Sequence, residues 1–494
     1  MKTFLLRGVP PALATDGWWL TSSISQTGEK PPTSRPRASG REDNSPFPAS
    51  VGALLALIAL ADVMLWQVSA PGLSLFVFGA GVILAAWALA GQRGTGGLIL
   101  ALVSFLPVIE RVQPLSLAFW FAGLALGAAW IALARFPGLS GGLRFLLHAP
   151  GQAIGDLHHL LTLRKEGDLR ATLGRATLAW ALPIGLSLVF LALFAEANPL
   201  FEDVLARFDP VDWLDPETAA RGVFWAGIAF LAWPFLRLRA MQQRIALGLS
   251  QPRARALPAL INAGSIARSL YLFNALFALQ TVSDIAVLWG HAALPEGMTY
   301  AQYAHRGAYP LVATALLAGA FALVARPFTS GNGALRAALL IWVGQTVLLT
   351  ISSLIRLNSY VSAYGLTHLR LSAAIWMGLV ALGLCLVIWQ VLRDIPARWL
   401  LLRSAALGLV TLYLCAFVPF APIVARYNLT HDVPFDRVYL CRLDRAALPV
   451  IVAHERATRQ TLCPYVRPEL HSPRDWREWG FRDWRASNSL LALN

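Results

Sequence analysis

The chain has 494 residues, 56% of them apolar or aromatic and 14% charged, with a mean hydropathy of +0.56. Soluble domains carry about a quarter charged residues, so a water-exposed fold of this composition could not cover its surface with polar groups. The apolar excess must face lipid. A formal charge of +14 would suggest nucleic acid in a soluble protein, but here it is first a question of membrane topology.

Residues 1–49 are rich in Pro, Ser, Thr and Arg and lack a periodic apolar face, which predicts disorder. The opening MKTFLLRG is interrupted at Arg7 and is too short for a cleaved signal. A bilayer core about 30 Å thick takes roughly 20 helical residues. Apolar stretches of that kind predict spans at 51–68, 72–90, 97–110, 115–134, 176–195, 222–236, 269–290, 308–325, 337–355, 372–392 and 401–421. The expected fold is therefore all-α, a polytopic transmembrane bundle of about eleven spans over residues 50–421. The span at 97–110 is the weakest, being short and carrying Pro107.

Charge supports this count independently. With the N-terminus inside, the inner segments hold 24 of the 41 basic residues and the outer loops only 6, with 11 in the tail beyond residue 421. Basic loops resist translocation, so most of the positive charge is topological and no nucleic-acid partner is expected. The bilayer is the expected partner. Within the inner segment 135–175, LRFLLHAPGQAIGDLHHLLTLRK alternates apolar and basic residues at helical spacing, as in an amphipathic helix lying on the inner leaflet. The polar tail 422–494 is expected outside as a small helical appendage, with Trp476, Trp479 and Trp484 at the headgroup level.

Signals for chemistry are few. Cys385 and Cys415 lie within spans, whereas Cys441 and Cys463 lie in the outer tail, where a disulfide is expected between them. No CxxC pair occurs, the adjacent His158 and His159 point about 100° apart on a helix, and the His454–Glu455 pair lacks the second histidine of a zincin, since position 458 is Thr. Gly138–Leu139–Ser140–Gly141 has the letters of an intramembrane serine-protease motif but sits in a basic loop, and no phosphate-binding loop is present. No metal and no cofactor are expected.

Polar residues inside spans carry more information, because each is costly in hydrocarbon. Asp62 lies in the first span, and Asn274, Gln280 and Asp284 lie in the seventh, with Gln280 and Asp284 on one face. Glu196 and Asn198 close the fifth span on the same side, the following outer loop brings His305 and Arg306, and the connection between the ninth and tenth spans brings Arg356 and Arg370. These residues form a candidate polar site in the outer third of the membrane. Two readings apply: mutual pairing that holds the bundle together, or an outer vestibule for a polar ligand. Asp284 is expected to face the bundle interior beside one of His305, Arg306, Arg356 or Arg370.

LPEGMTYAQYAHRGAYPL at 294–311 and RLNSYVSAYGLTHLRLSAAIWM at 356–377 resemble an uncharacterised family of bacterial multi-pass membrane proteins defined by a domain of unknown function. FNALFALQTVSDIAVLWG and YNLTHDVPFDRVYLCRLDRAALP resemble it too, so that the likeness covers roughly residues 180–485. The resemblance implies a helical protein of the bacterial inner membrane and transfers no catalytic residue. The Arg excess over Lys, 38 to 3, agrees with a GC-rich bacterial genome. Three functions then compete. The leading one is a non-enzymatic envelope scaffold or sensor, with an envelope protein as candidate partner. The second is a transporter, or its binding component, for a polar solute or lipid headgroup. The third is a membrane transferase using Asp284 or Glu196 as base and His305 as acid.

Overall fold

Most of the helices are apolar all round, which suits lipid on one side and other helices on the other. In the computed structural model, the structure describes residues 47–69, 71–163, 216–246, 261–288, 300–329, 331–464 and 475–493, with Ser187 singly. The described residues form sixteen α-helices and two short 3-10 turns, with no strand among them. The expected span at 176–195, Ser187 apart, and the expected disordered segment up to residue 46 lie outside the described residues.

In chain order, α1 is Phe47–Leu65, α2 Gly72–Leu89, α3 Thr95–Glu110, α4 Pro114–Leu133, α5 Gly138–Leu163, α6 Pro216–Leu236 and α7 Leu238–Ala246. The second series is α8 Ala263–Leu288, α9 Tyr300–Thr329, α10 Gly333–Tyr364, α11 His368–Arg393 and α12 Ala397–Phe417. Short helices follow: α13 Phe420–Thr430, α14 Arg437–Cys441, α15 Leu448–Thr458 and α16 Phe481–Leu493. Six of these (α2, α4, α6, α10, α11 and α12) are long and apolar enough to cross a membrane, and α1, α3 and the end of α9 add shorter apolar helices. The chain is a membrane protein.

Local chemistry sets the boundaries. Gln113 and Ser116 form a capping box with Pro114 at the first helical position, which starts α4. The Asn332 side chain accepts from Leu335 N at 3.2 Å to start α10, and Gly365 at φ 76° ends it. The α10 helix therefore runs nine residues past the expected span end at 355. Arg356 lies on a helix, not in a connection. Likewise His305 and Arg306 fall on α9 rather than in a loop, and α6 begins six residues before the expected span start at 222, so that it takes in Arg221. Hydropathy marks where lipid contact ends, whereas the helix continues until a residue stops it.

Two apolar cores divide the bundle. Ile83, Phe105, Val108, Ile131, Phe145, Met241 and Ile245 centre the core of α1–α7, and Leu270, Leu339, Trp342, Val343 and Leu384 centre that of α8–α12. The α5 helix packs Phe145 into the first core while Leu139, Leu143, Leu146, Leu147, Ile154 and Leu157 remain exposed on its other face. The halves meet where Tyr413 Oη donates to Val103 O at 2.7 Å and its ring stands edge-on to Phe119.

A third, smaller core (Ala421, Ala425, Leu440, Ala447 and Ile451) forms a cap from α13 to α15. Cys441 and Cys463 are bonded within it, Cα to Cα 5.6 Å. Glu455 Oε1 accepts from Leu462 N at 2.6 Å and Cys463 N at 2.9 Å, which fixes the second cysteine's backbone. The cap is tied into the bundle rather than resting on it. Leu366 N donates to Asn428 Oδ1 and Asn428 Nδ2 donates back to Leu366 O, at 2.6 and 2.8 Å.

Candidate functional site

Asp284 lies near the C-terminal end of α8 and is 2% exposed, and Arg356 of α10 is 7% exposed. Their side chains form an ion pair, and Gln280 Nε2 donates to the same Asp284 oxygen at 2.9 Å. Helices α8 and α10 run in the same direction, with Asn274 Nδ2 donating to Ala338 O at 2.9 Å toward their opposite ends. The membrane cost of a charged Asp, about 3 kcal/mol on insertion scales, is thus met by a guanidinium on a neighbouring helix.

Thr346, Thr350 and Ser353 continue from Arg356 along α10 at helical spacing, all buried, each donating to the carbonyl one turn back. Asn274 Oδ1, Asp284 Oδ2, Trp342 Nε1, Gln345 Oε1 and Gln390 Nε2 are buried in this half without a hydrogen-bond partner among the described residues. A polar seam with the ion pair at one end thus runs along α10, beside the apolar core of this half.

Of the other expected site residues, Arg370 lies apart from the pair. Arg370 Nη1 donates to Tyr364 O at 2.8 Å and to Gly365 O, and its guanidinium lies 4.1 Å over the Tyr360 ring. It caps the end of α10. Glu196 and Asn198 lie outside the described residues, as do the side chains of His305 and Arg306.

Further arginine–acid ties were not expected from sequence. Arg221 Nε of α6 donates to Asp62 Oδ1 of α1 at 2.7 Å, and Trp225 Nε1 donates to it at 2.9 Å. Asp156 of α5 accepts from Trp233 Nε1 at 2.9 Å and from Gln152 Nε2 at 2.9 Å. Glu110, at the end of α3, and Arg482, in the first turn of α16, are each 7% exposed and pair at 3.1 Å; Arg482 also donates to Ala416 O at 3.1 Å. One guanidinium thus joins the end of α3, the end of α12 and the cap.

Beside it, Arg111 pairs with Asp444. Burial pushes the Asp444 carboxyl up, but hydrogen bonds from the Arg111 guanidinium and Ala446 N–H outweigh it and hold the group below the usual carboxylate range. Arg477 Nη1 donates to Val63 O at 2.8 Å, and Leu73 N donates to Trp479 O at 2.9 Å, so the Trp-rich segment also seals the ends of α1 and α2. Trp476 and Trp484 are exposed and Trp479 is half-buried. The signal available in the sequence was an arginine between aromatics on either side of a glycine, WREWGFRDWR, which reads equally as a solvated surface.

The sequence model of a domain of unknown function (DUF4153) matches residues 50–454, so the chain belongs to that family. The match reaches back to α1, well before the resemblance at 180–485, and so takes in both halves of the bundle. No curated protein and no solved structure matches the chain.

Proposed function

We propose that this DUF4153 protein is a non-enzymatic scaffold or sensor component of the bacterial cell envelope, whose bundle holds a disulfide-closed cap at the outer surface of the inner membrane. The observation that supports this reading is that Asp62, Glu110 and Asp284 each pair with an arginine on another element. Paired in this way they act as cross-ties, and one of them clamps the cap. The orientation rests on charge. Arg326 and Arg336 reach Asp394 and Leu392 O at the end of the bundle away from the cap, and basic ends stay inside. The N-terminus is then cytoplasmic, the cap lies in an oxidising compartment that suits its disulfide, and 176–195 supplies the eleventh span.

The test uses native membranes from the source cell and the size of the complex that contains the protein. Glu110→Gln should loosen the cap on α3 and shrink that complex, whereas Asp284→Leu with Arg356→Met should leave it intact. A monomer in the wild type and in every variant would defeat the scaffold reading.

A second reading is favoured by the polar seam. Thr346, Thr350 and Ser353 leading to Asp284, with its second oxygen unpartnered, suit a binding or transport path for a polar solute or lipid headgroup. That reading expects the Asp284→Leu/Arg356→Met protein, correctly folded, to lose proton or solute flux in proteoliposomes.

A further inference from the structure

Between α13, α15 and α16 the cap encloses a cleft of about 590 Å³, within the range of small-molecule sites. Its charged lining is all of one sign, Arg426, Arg482 and Arg485, with no carboxylate, and the His454 ring stands beside them. Glu110 offsets part of this charge from behind, but it serves two arginines at once, Arg482 at 3.1 Å and Arg485 at 3.4 Å. Arg482 is further engaged by the Ala416 and Val418 carbonyls at 3.1 and 3.5 Å. The Arg426 guanidinium and the His454 ring make no hydrogen bond or ion pair among the described residues. The cleft therefore holds a surplus of at least one full positive charge after all its internal pairing.

The donors come from three sides: Arg426 from α13, His454 from α15, and Arg485 from α16. Converging guanidinium groups suit a tetrahedral oxyanion with several acceptor oxygens, because each planar fork binds two of them. The remaining wall is apolar, with Pro419, Pro422, Leu429, Val450 and Leu493. It begins two residues beyond α12, a membrane-capable helix only 11% buried within the protein. A ligand here would meet cations with one end and apolar surface with the other, at the level where that helix leaves the hydrocarbon.

We propose that this cleft binds a phosphate-bearing anion, its phosphoryl group held by Arg426, Arg485 and His454. The same chemistry could arrive as an anionic phospholipid headgroup or as a soluble phosphate compound. The site is distinct from the Asp284–Arg356 pair, and its test does not depend on the role of the bundle.

The test takes the full chain in detergent, delipidated, and measures binding of phosphatidylglycerol and phosphatidylcholine by native mass spectrometry, with inorganic phosphate titrated separately by calorimetry. Arg426→Gln is the informative variant, because that side chain holds nothing in the protein and its loss should leave the unliganded melting temperature unchanged. Arg437→Gln, an exposed arginine of α14 outside the cleft, is the control. Phosphatidylglycerol should bind in preference to phosphatidylcholine, and Arg426→Gln should weaken it about tenfold, as expected for losing one charge-assisted contact, with Arg437→Gln unchanged. Inorganic phosphate binding alone, lost in Arg426→Gln, would also support the site and assign it to a soluble phosphate compound. No binding of either probe at millimolar concentration, or equal loss in both variants, would overturn the proposal.

Discussion

Where α3 meets α4, two glycines bring the backbones together: a Cβ on Gly97 would stand 2.6 Å from Gly127 O, and one on Gly127 would stand 2.7 Å from Gly97 O. Where α8 meets α10, the contact is made instead by Asn274, Asp284 and Arg356, and the glycines of that half at 319, 344, 378 and 383 meet nothing within 4 Å. Lipid tails are as apolar as leucine, so burying leucine gives helices little reason to associate. Close approach of small residues and polar pairing are the two remedies. The α3–α4 contact uses the first and the α8–α10 contact the second. Close backbone packing leaves no room for a solute. Polar pairing leaves groups that water or a ligand could satisfy, which is why the functional question concentrates in α8–α11.

The sharpest way to break the second half is to remove one partner of its ion pair. Asp284→Leu alone should cost about 3–5 kcal/mol because Arg356 is left buried and uncompensated, while Asp284→Leu with Arg356→Met should return most of that loss. Thermal unfolding in detergent, followed by fluorescence size exclusion, would show it, and equal destabilisation by single and double variants would remove the pair from the account. Opening the disulfide should act on neither half. Cys441→Ser with Cys463→Ser should cost the cap about 3 kcal/mol on the chain-entropy model, seen as faster hydrogen exchange in α14 and α15 with α3 and α10 unchanged.

Gly127→Val should cost about 1–3 kcal/mol because the obstructing atom is backbone and cannot turn aside, whereas Gly344→Ala should be neutral or stabilise by up to about 1 kcal/mol. Matched costs at the two positions would erase the contrast between the halves. The smallest effect belongs to Asp444. Its folded pKa lies below the ordinary 3.8, so its contribution is present above that value and is lost as pH falls through the lower, folded one. Acidification to about pH 3 should loosen the Arg111 contact by under about 1 kcal/mol, read as increased exchange in residues 442–447. Asp444→Asn should abolish that pH dependence.

The helices were legible because hydropathy and spanning length are local properties, and eight of the expected spans coincide closely with α1, α2, α3, α4, α6, α8, α11 and α12. The extension of α9 and α10 past their apolar stretches was not, since Gly365 rather than polarity ends α10. Asp284 could be singled out because a lone acid inside an apolar run demands a partner, and the candidate cations nearby included Arg356. Glu110 offered no such demand: it sits at the end of a short apolar helix, where an acid is ordinarily solvated. Its partner Arg482 is 372 residues away, and nothing local in either segment signals the other. Asp62 shows the intermediate case, its polarity legible and its partner Arg221 not, because Arg221 lay beyond the apolar run of α6.

The hydrogen bonds from Arg477 to Val63 O and from Ser74 to Arg477 O span 414 and 403 residues. At a synthesis rate of roughly 5–20 residues per second, about 20–80 s separate the emergence of the two sides. During that interval α1 to α3 sit in the bilayer with their cap-facing ends unsealed and Glu110 without Arg482. Without Arg482 and Arg485, Glu110 lacks both of the guanidinium groups that pair with it. The Trp-rich segment thus supplies its contacts to α1 and α2 long after those helices have been made.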